Sequence, residues 1–349
     1  MYTRLVQALS EAYEAAENAG IEDQALSKSI NDIIIADYLG HSISPGGRGS
    51  DGIDDAQNEY EYKSTSTGVQ ANFHLGSNKG TRRANILHIR RKFSGITGAY
   101  LAQIKYGEIQ RVAYCPMVNL LPILEQKVGN IIAGQLQPQI TWEEFANIEQ
   151  SEIVPRSANR TYPIVVRLIL GAMRISRDLG VDQGLFAKGG HNHVFLAQRE
   201  GHQLAAAGGG ADASDDADNN YEYKITITKD WNFNLGARKT SPENRRLIEN
   251  KCRGLSAAYL VQRRYAELVR IIMIPSEDLE RLLLAKEVST IGNPMNLRIS
   301  RRELRQFVVV PDPDYEWLTC EELRGMLRER NLPVSGNKNA LIQRLIRGV

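Results

Sequence analysis

Cysteine is rare in this sequence, at three residues in 349, and Cys115, Cys252 and Cys320 lie far apart. The odd number and the lack of any CxxC pair exclude a zinc ribbon and argue against a disulfide framework. No long hydrophobic run is present. The most apolar stretch, Tyr162 to Met173, is about 12 residues and is broken by Arg167, so it is too short and too charged to span a bilayer. The opening "MYTRLVQALSEAYEAAENAG" reads as an amphipathic helix with acidic residues rather than a signal peptide. An excess of one charge is missing too, since 43 Lys and Arg against 41 Asp and Glu leave a net +2. Contact with nucleic acid must therefore come from local basic faces, not from bulk charge. A reducing, cytoplasmic setting without membrane contact is the expectation.

What the sequence does contain is itself, twice. Shifted by 161 positions, residues 31–67 align without a gap on residues 192–228, with about 17 of 37 identical. The pairs include His41 with His202, Gly47 and Gly49 with Gly208 and Gly210, and "YEYK" at Tyr60–Lys63 with "YEYK" at Tyr221–Lys224. Further on, "GITGAYLAQIKYGEIQRV" from Gly95 answers "GLSAAYLVQRRYAELVRI" from Gly254. Two helix capping boxes also correspond, Thr141 with Glu144 and Ser300 with Glu303. The expectation is two copies of one α/β domain, residues 1–155 and 156–311, each a mixed sheet with helices on its faces. Each copy reads as an opening helix, a Gly-rich loop, an acidic hairpin and a further extended run. A long helix is then expected (Gly95–Lys105; Gly254–Arg264), followed by an apolar strand and a short helical end. "PDPDY", Pro311–Tyr315, is a linker signal, and residues 312–349 form a small all-α helical hairpin, with Leu318, Leu323, Leu327, Leu341 and Leu345 at helical spacing.

The repeated hairpin carries the chemistry. Folding residues 50–65 about a turn near Ala56 places Asp51 opposite Glu61, with β-carbons about 5 Å apart. Lys63 is two residues beyond Glu61 and shares its face, while Tyr60 and Tyr62 point the other way. Asp212, Glu222 and Lys224 repeat the set. Two carboxylates and an ammonium on one surface suit Mg²⁺ and metal-assisted phosphodiester hydrolysis, the lysine holding or activating the attacking water. The other aspartates of each triplet, Asp54, Asp55, Asp215 and Asp216, stay open as alternative metal ligands, although hairpin geometry favours Asp51.

This "D…EYK" pattern resembles the PD-(D/E)XK nuclease superfamily, to which most type II restriction endonucleases belong; Ser50 and Ala211 replace the family's usual proline. The resemblance implies two tandem restriction-endonuclease-like domains and Mg²⁺ held by Asp51, Glu61, Asp212 and Glu222, with Lys63 and Lys224 completing the catalytic sets. Two other patterns do not carry function. "DADNNYE" from Asp216 lacks the glycine and glutamate of a calcium loop, and "HNH" at His191–His193 reads as a loop or surface feature. His41 and His202 read as buried structural residues.

For DNA, Arg82, Arg83, Arg90, Arg91 and Lys92 form one basic run and Arg245, Arg246, Lys251, Arg253, Arg263 and Arg264 another. "LTCEELRGMLRERNLPVSGNKNALIQRLI" resembles the SAP motif, a two-helix DNA-binding module. That resemblance implicates Ser335, Gly336, Asn337, Lys338 and Arg344, a helix N-terminus being a ready phosphate site. The sequence thus reads as a Mg²⁺-dependent site-specific endonuclease of the type II restriction class acting on double-stranded DNA. It would work as a monomer whose two copies supply an internal pseudo-twofold. The alternatives are a structure-specific repair or recombination nuclease and a non-catalytic DNA-binding protein.

Overall fold

In a computed structural model of the chain, the structure describes residues 1–28, 30–45, 50–65, 70–76, 78–129, 131, 135–181, 190–205, 211–228, 230–235, 240–287, 295–300, 302–304, 307, 309–310, 318–329 and 332–347. The Gly-rich loops at 46–49 and 206–210 and the linker Pro311–Tyr315 lie outside them.

The chain forms two tandem α/β units and a helical hairpin. In the first unit, α1 (Thr3–Asn18), α2 (Asp23–Lys28) and α3 (Ile30–Leu39) precede β1 (Ser42–Ile43), β2 (Gly52–Ile53), β3 (Glu59–Thr65) and β4 (Gln70–Asn72). Then come α4 (Arg82–Lys92), β5 (Ile96–Lys105), β6 (Glu108–Pro116), α5 (Met117–Gly129), β7 (Gln139–Thr141), α6 (Trp142–Ala146) and β8 (Glu152–Ile153). The second unit runs α7 (Pro163–Asp178), α8 (His191–Glu200), β9 (Gln203–Leu204), β10 (Ala213–Ser214), β11 (Asn220–Thr226) and β12 (Asp230–Asn234). It ends with α9 (Ser241–Cys252), β13 (Ala257–Arg264), β14 (Glu267–Pro275), α10 (Ser276–Glu287), β15 (Asn296–Ser300) and β16 (Val309–Val310). The main sheets have matching orders, β1-β2-β3-β5-β6-β8 and β9-β10-β11-β13-β14-β16.

The runs from Gly95 and Gly254 are strands β5 and β13, not helices. Ala99, Tyr100, Leu101 and Ala102 are all buried, so β5 is apolar on both faces, as a central strand requires and an amphipathic helix does not. It lies parallel to β3, with Glu61 beside Ala99 and Lys63 beside Leu101. Parallel neighbours need a crossover, and the basic runs supply it as α4 and α9.

Each sheet separates two cores. Behind β3 and β11, Tyr60, Tyr62, Tyr100, Tyr223 and Tyr259 join α1, α3, α7 and α8 in one core shared by both units. On the opposite faces, Phe73, Ile89, Leu120 and Phe145 build one separate core and Trp231, Phe233, Ile248 and Leu283 another. The shared core is laced reciprocally. The Tyr2 hydroxyl accepts from Leu204 N in the second unit at 3.1 Å, and that of Tyr162 accepts from Ile43 N in the first at 3.1 Å. Asp37 accepts from Tyr162 N at 2.9 Å and pairs with Arg160. Arg263 (counted above with the DNA-facing arginines) is buried instead, 2.7 Å from Asp23 of the other unit.

Candidate active site

The hairpin register follows from a tight turn. Gly52 pairs with Tyr60 and Ile53 with Glu59, and Gln57 takes a left-handed φ of 65° to close the loop. Asp54 holds that turn: its carboxylate accepts from Asn58 N at 2.8 Å, Asn58 Nδ2 at 2.9 Å and the Tyr60 hydroxyl at 2.9 Å. Asp215 does the same with Asn219 and Tyr221; these hydrogen bonds, led by the Asn219 side chain, pull its carboxyl down to about 2. Asp55 and Asp216 are exposed on the turn. Asp51 is the aspartate that reaches Glu61 and Lys63.

In the first unit Asp51 Oδ2 accepts from Tyr62 N at 2.8 Å, which fixes the carboxylate over the face of β3. The Lys63 ammonium lies 2.6 Å from Glu61 Oε1 and 3.7 Å from Asp51 Oδ2, and donates to Tyr62 O at 2.7 Å. Its Nζ stands over Phe73, 5.5 Å from the ring centre. The second unit repeats this: Tyr223 N donates to Asp212 Oδ2 at 2.8 Å, Lys224 pairs with Glu222, and Lys224 Nζ stands 5.5 Å from the Phe233 centroid. Glu61 and Glu222 are only 4% and 2% exposed.

Burial pushes the Asp51 carboxyl above the usual aspartate range, and the Glu61 charge adds to it, while Lys63 opposes both. For Lys63, burial pulls downward, but the Glu61 and Asp51 carboxylates outweigh it and hold the group above the usual lysine range. Lys63 is therefore an ammonium in this arrangement. Its surroundings suit it to donate hydrogen bonds rather than to abstract a proton.

Two residues beyond the hairpins complete the sites. Lys92 and Lys251 occupy the last turns of α4 and α9, where a helix C-terminus favours a cation. Lys251 Nζ stands 2.6 Å from Glu222 Oε2. Lys92 donates to His74 O; burial lowers its pKa, with Lys63 adding to the effect and Glu61 opposing it. Both lysines belong to the basic runs, and only the β3–α4–β5 and β11–α9–β13 crossovers reveal that they turn inward. Apart from the buried Arg263, the rest of those runs stays outside. Arg82, Arg83, Arg91, Arg245 and Arg246 are exposed, and Arg90 is clamped by Glu125 at 2.6 Å.

The "HNH" triplet is not a loop or surface feature: it forms the first turn of α8, packed into the shared core by its apolar neighbours. His191 is fully buried, Asn192 accepts from the Tyr13 hydroxyl at 2.7 Å, and His193 Nδ1 lies 4.0 Å from Asp212 Oδ1. His41 and His202 are buried structural residues, their Nδ1 atoms 2.8 and 2.6 Å from the Tyr62 and Tyr223 hydroxyls. Among the described residues no cluster of three or more His, Cys, Asp or Glu is placed to hold a metal, and no helix is long and apolar enough to cross a membrane. Each site offers two carboxylates, which matches the one or two that Mg²⁺ takes from protein when water and phosphate supply the rest.

At the far end, α11 (Cys320–Glu329) and α12 (Lys338–Arg347) pack through Leu323, Leu327, Leu341 and Leu345. Gly336 takes φ 115° in the turn. Asn337 caps α12, its Oδ1 accepting from Ala340 N at 3.1 Å. Ser335, Gly336 and Asn337 are exposed, with Lys338 half-buried beside them. Arg344 donates to Pro333 O at 3.1 Å and to Ser335 O, so it braces the turn. Residues 314–347 match the family model of the SAP domain. The helical hairpin is similar to the SAP domain, a DNA-binding motif, and the resemblance read from its leucines and "LPVSGNK" turn is borne out. No curated protein matches the chain.

Proposed function

We propose that the protein is a Mg²⁺-dependent endonuclease of double-stranded DNA, of the PD-(D/E)XK type and most similar in organisation to type II restriction enzymes, with one active site per unit. One observation carries this reading: an aspartate from the first limb of each hairpin and an acid–lysine pair from the second meet on one sheet face, in both units. Asp51 with Glu61, and Asp212 with Glu222, would hold the cation. When bound, Mg²⁺ lowers the pKa of a coordinated water and offsets charge on the phosphate. The chain's own part is to fix the carboxylates through the Tyr62 and Tyr223 amides and to place the Lys63 and Lys224 ammoniums beside the reacting phosphate. There each ammonium donates to water or to a phosphate oxygen. The water oxygen bonds to phosphorus and gives up a proton to solvent, one ester P–O bond breaks, and the departing alkoxide takes a proton from solvent.

The reciprocal lacing of the units supports an internal pseudo-twofold, which would set the two sites on opposite strands of one duplex. The SAP domain would add affinity through phosphate contacts. Incubating supercoiled plasmid with the full chain, with Mg²⁺ or with a chelator, tests the reading. Mg²⁺-dependent linear product in defined fragments is expected. Binding without any strand scission would favour a non-catalytic DNA-binding protein, which the SAP domain alone supports.

A further inference from the structure

The two sites are built from the same hairpin, yet they are not equal. In the first unit Glu61 gives Oε1 to Lys63, and among the described residues Oε2 has no hydrogen-bond partner. In the second, both oxygens of Glu222 are taken, Oε1 by Lys224 and Oε2 by Lys251 at 2.6 Å. The counterpart of Lys251 is Lys92, whose ammonium is directed to His74 O instead. A second difference comes from the helix behind each hairpin. Asp32 on α3 adds a negative charge that acts on Lys63, whereas its counterpart on α8 is His193, 4.0 Å from Asp212. The first site therefore has the carboxylates of Asp51 and Glu61, the added field of Asp32 and two ammoniums, of which only Lys63 is bonded to Glu61. The second has two acids, an imidazole and two ammoniums that are both bonded to Glu222.

A hard cation needs bare oxygen lone pairs, and an ammonium on the same oxygen competes for them. Resting on the reading of these sites as nuclease centres, we propose that the first site takes up its divalent cation readily and the second only after Lys251 releases Glu222, so that the two DNA strands are cut in a fixed order. Lys251 is here a positioning residue: it acts through Glu222 and not on the phosphate.

Mn²⁺ titration of the DNA-free full chain, followed by electron paramagnetic resonance of the free ion, tests this without any turnover. Two classes of site are expected, the tighter lost in Asp51→Asn and the weaker in Asp212→Asn. Lys251→Met tightens the weaker class by about ten- to a hundred-fold, the range over which neighbouring groups move a metal site. Lys251→Arg keeps the charge and leaves that class weak. Circular dichroism establishes that each variant is folded. A single affinity class, no Mn²⁺ uptake at millimolar concentration, or a folded Lys251→Met variant with unmoved affinity overturns the inference. In plasmid time courses, nicked circles build up with the wild-type chain and diminish with Lys251→Met. Unequal Mn²⁺ uptake without DNA cleavage would retain the cation asymmetry and overturn both the nuclease reading and its cutting order.

Discussion

Replacing Lys63 by Met keeps an unbranched apolar side chain and removes the ammonium that stands over Phe73. Glu61, whose side chain is 5% exposed, then loses the cation 2.6 Å from it. A buried carboxylate left unpaired costs about 3–5 kcal/mol, unless it takes up a proton. Protonating an ordinary glutamate at pH 7 costs about 3.7 kcal/mol, which sets a ceiling near 4 kcal/mol. Asp51 beside it is 30% exposed, so water reaches one edge of the site, and the expected loss is about 2 kcal/mol. In a domain of about 150–250 residues that amounts to roughly 4–8 °C in Tm. The escape by protonation becomes cheaper in acid, about 1 kcal/mol at pH 5, so the deficit against wild type shrinks as pH falls. Lys224→Met is milder, about 1 kcal/mol or less, because Lys251 still holds Glu222. Calorimetry in chelator at pH 7 and pH 5 measures all of this. Equal losses in the two variants, or a Lys63→Met deficit that does not change with pH, would refute the electrostatic argument.

Three other outcomes are expected. Burial lowers the pKa of His41 and of His202, so the folded state keeps them neutral while unfolded histidines titrate near 6.5. Stability therefore falls as pH drops below about 6.5, and His41→Phe with His202→Phe flattens the slope of Tm against pH there; an unchanged slope would contradict this. Asp23→Ala strands the Arg263 guanidinium, 1% exposed at the junction of the two units, and costs about 3–5 kcal/mol in urea unfolding; a loss below about 1 kcal/mol would deny that the pair ties the units together. Lys338→Ala reduces the salt dependence of DNA binding by about one phosphate contact, whereas Arg344→Ala destabilises the SAP hairpin by freeing its turn.

The hairpin was legible in the sequence because antiparallel pairing obeys a simple rule. Residue numbers across the ladder share one sum, so the Gly52–Tyr60 register already sets Asp51 against Glu61. The tyrosines were legible for the same reason, since alternation sends Tyr60 and Tyr62 to the other face. Strands β5 and β13 misled because a short apolar run such as "AYLAQIK" has no period that tells a buried strand from a helix. Lys92 and Lys251 were visible as charges but not as site residues: 29 positions separate Lys251 from Glu222, and a crossover joins them. The exchange of contacts between units, with Tyr2 and Tyr162 each reaching across, was not legible, because no local pattern encodes which of two equivalent sheets a helix covers.

The most direct measurement is strand-resolved cleavage of a plasmid by Lys63→Ala and Lys224→Ala. Two active sites on opposite strands predict that wild type linearises the plasmid with Mg²⁺, while each variant leaves an open circle nicked on one strand, the two variants nicking opposite strands. If either variant linearises the plasmid at the wild-type rate, or if both nick the same strand, two catalytic centres in one chain are contradicted.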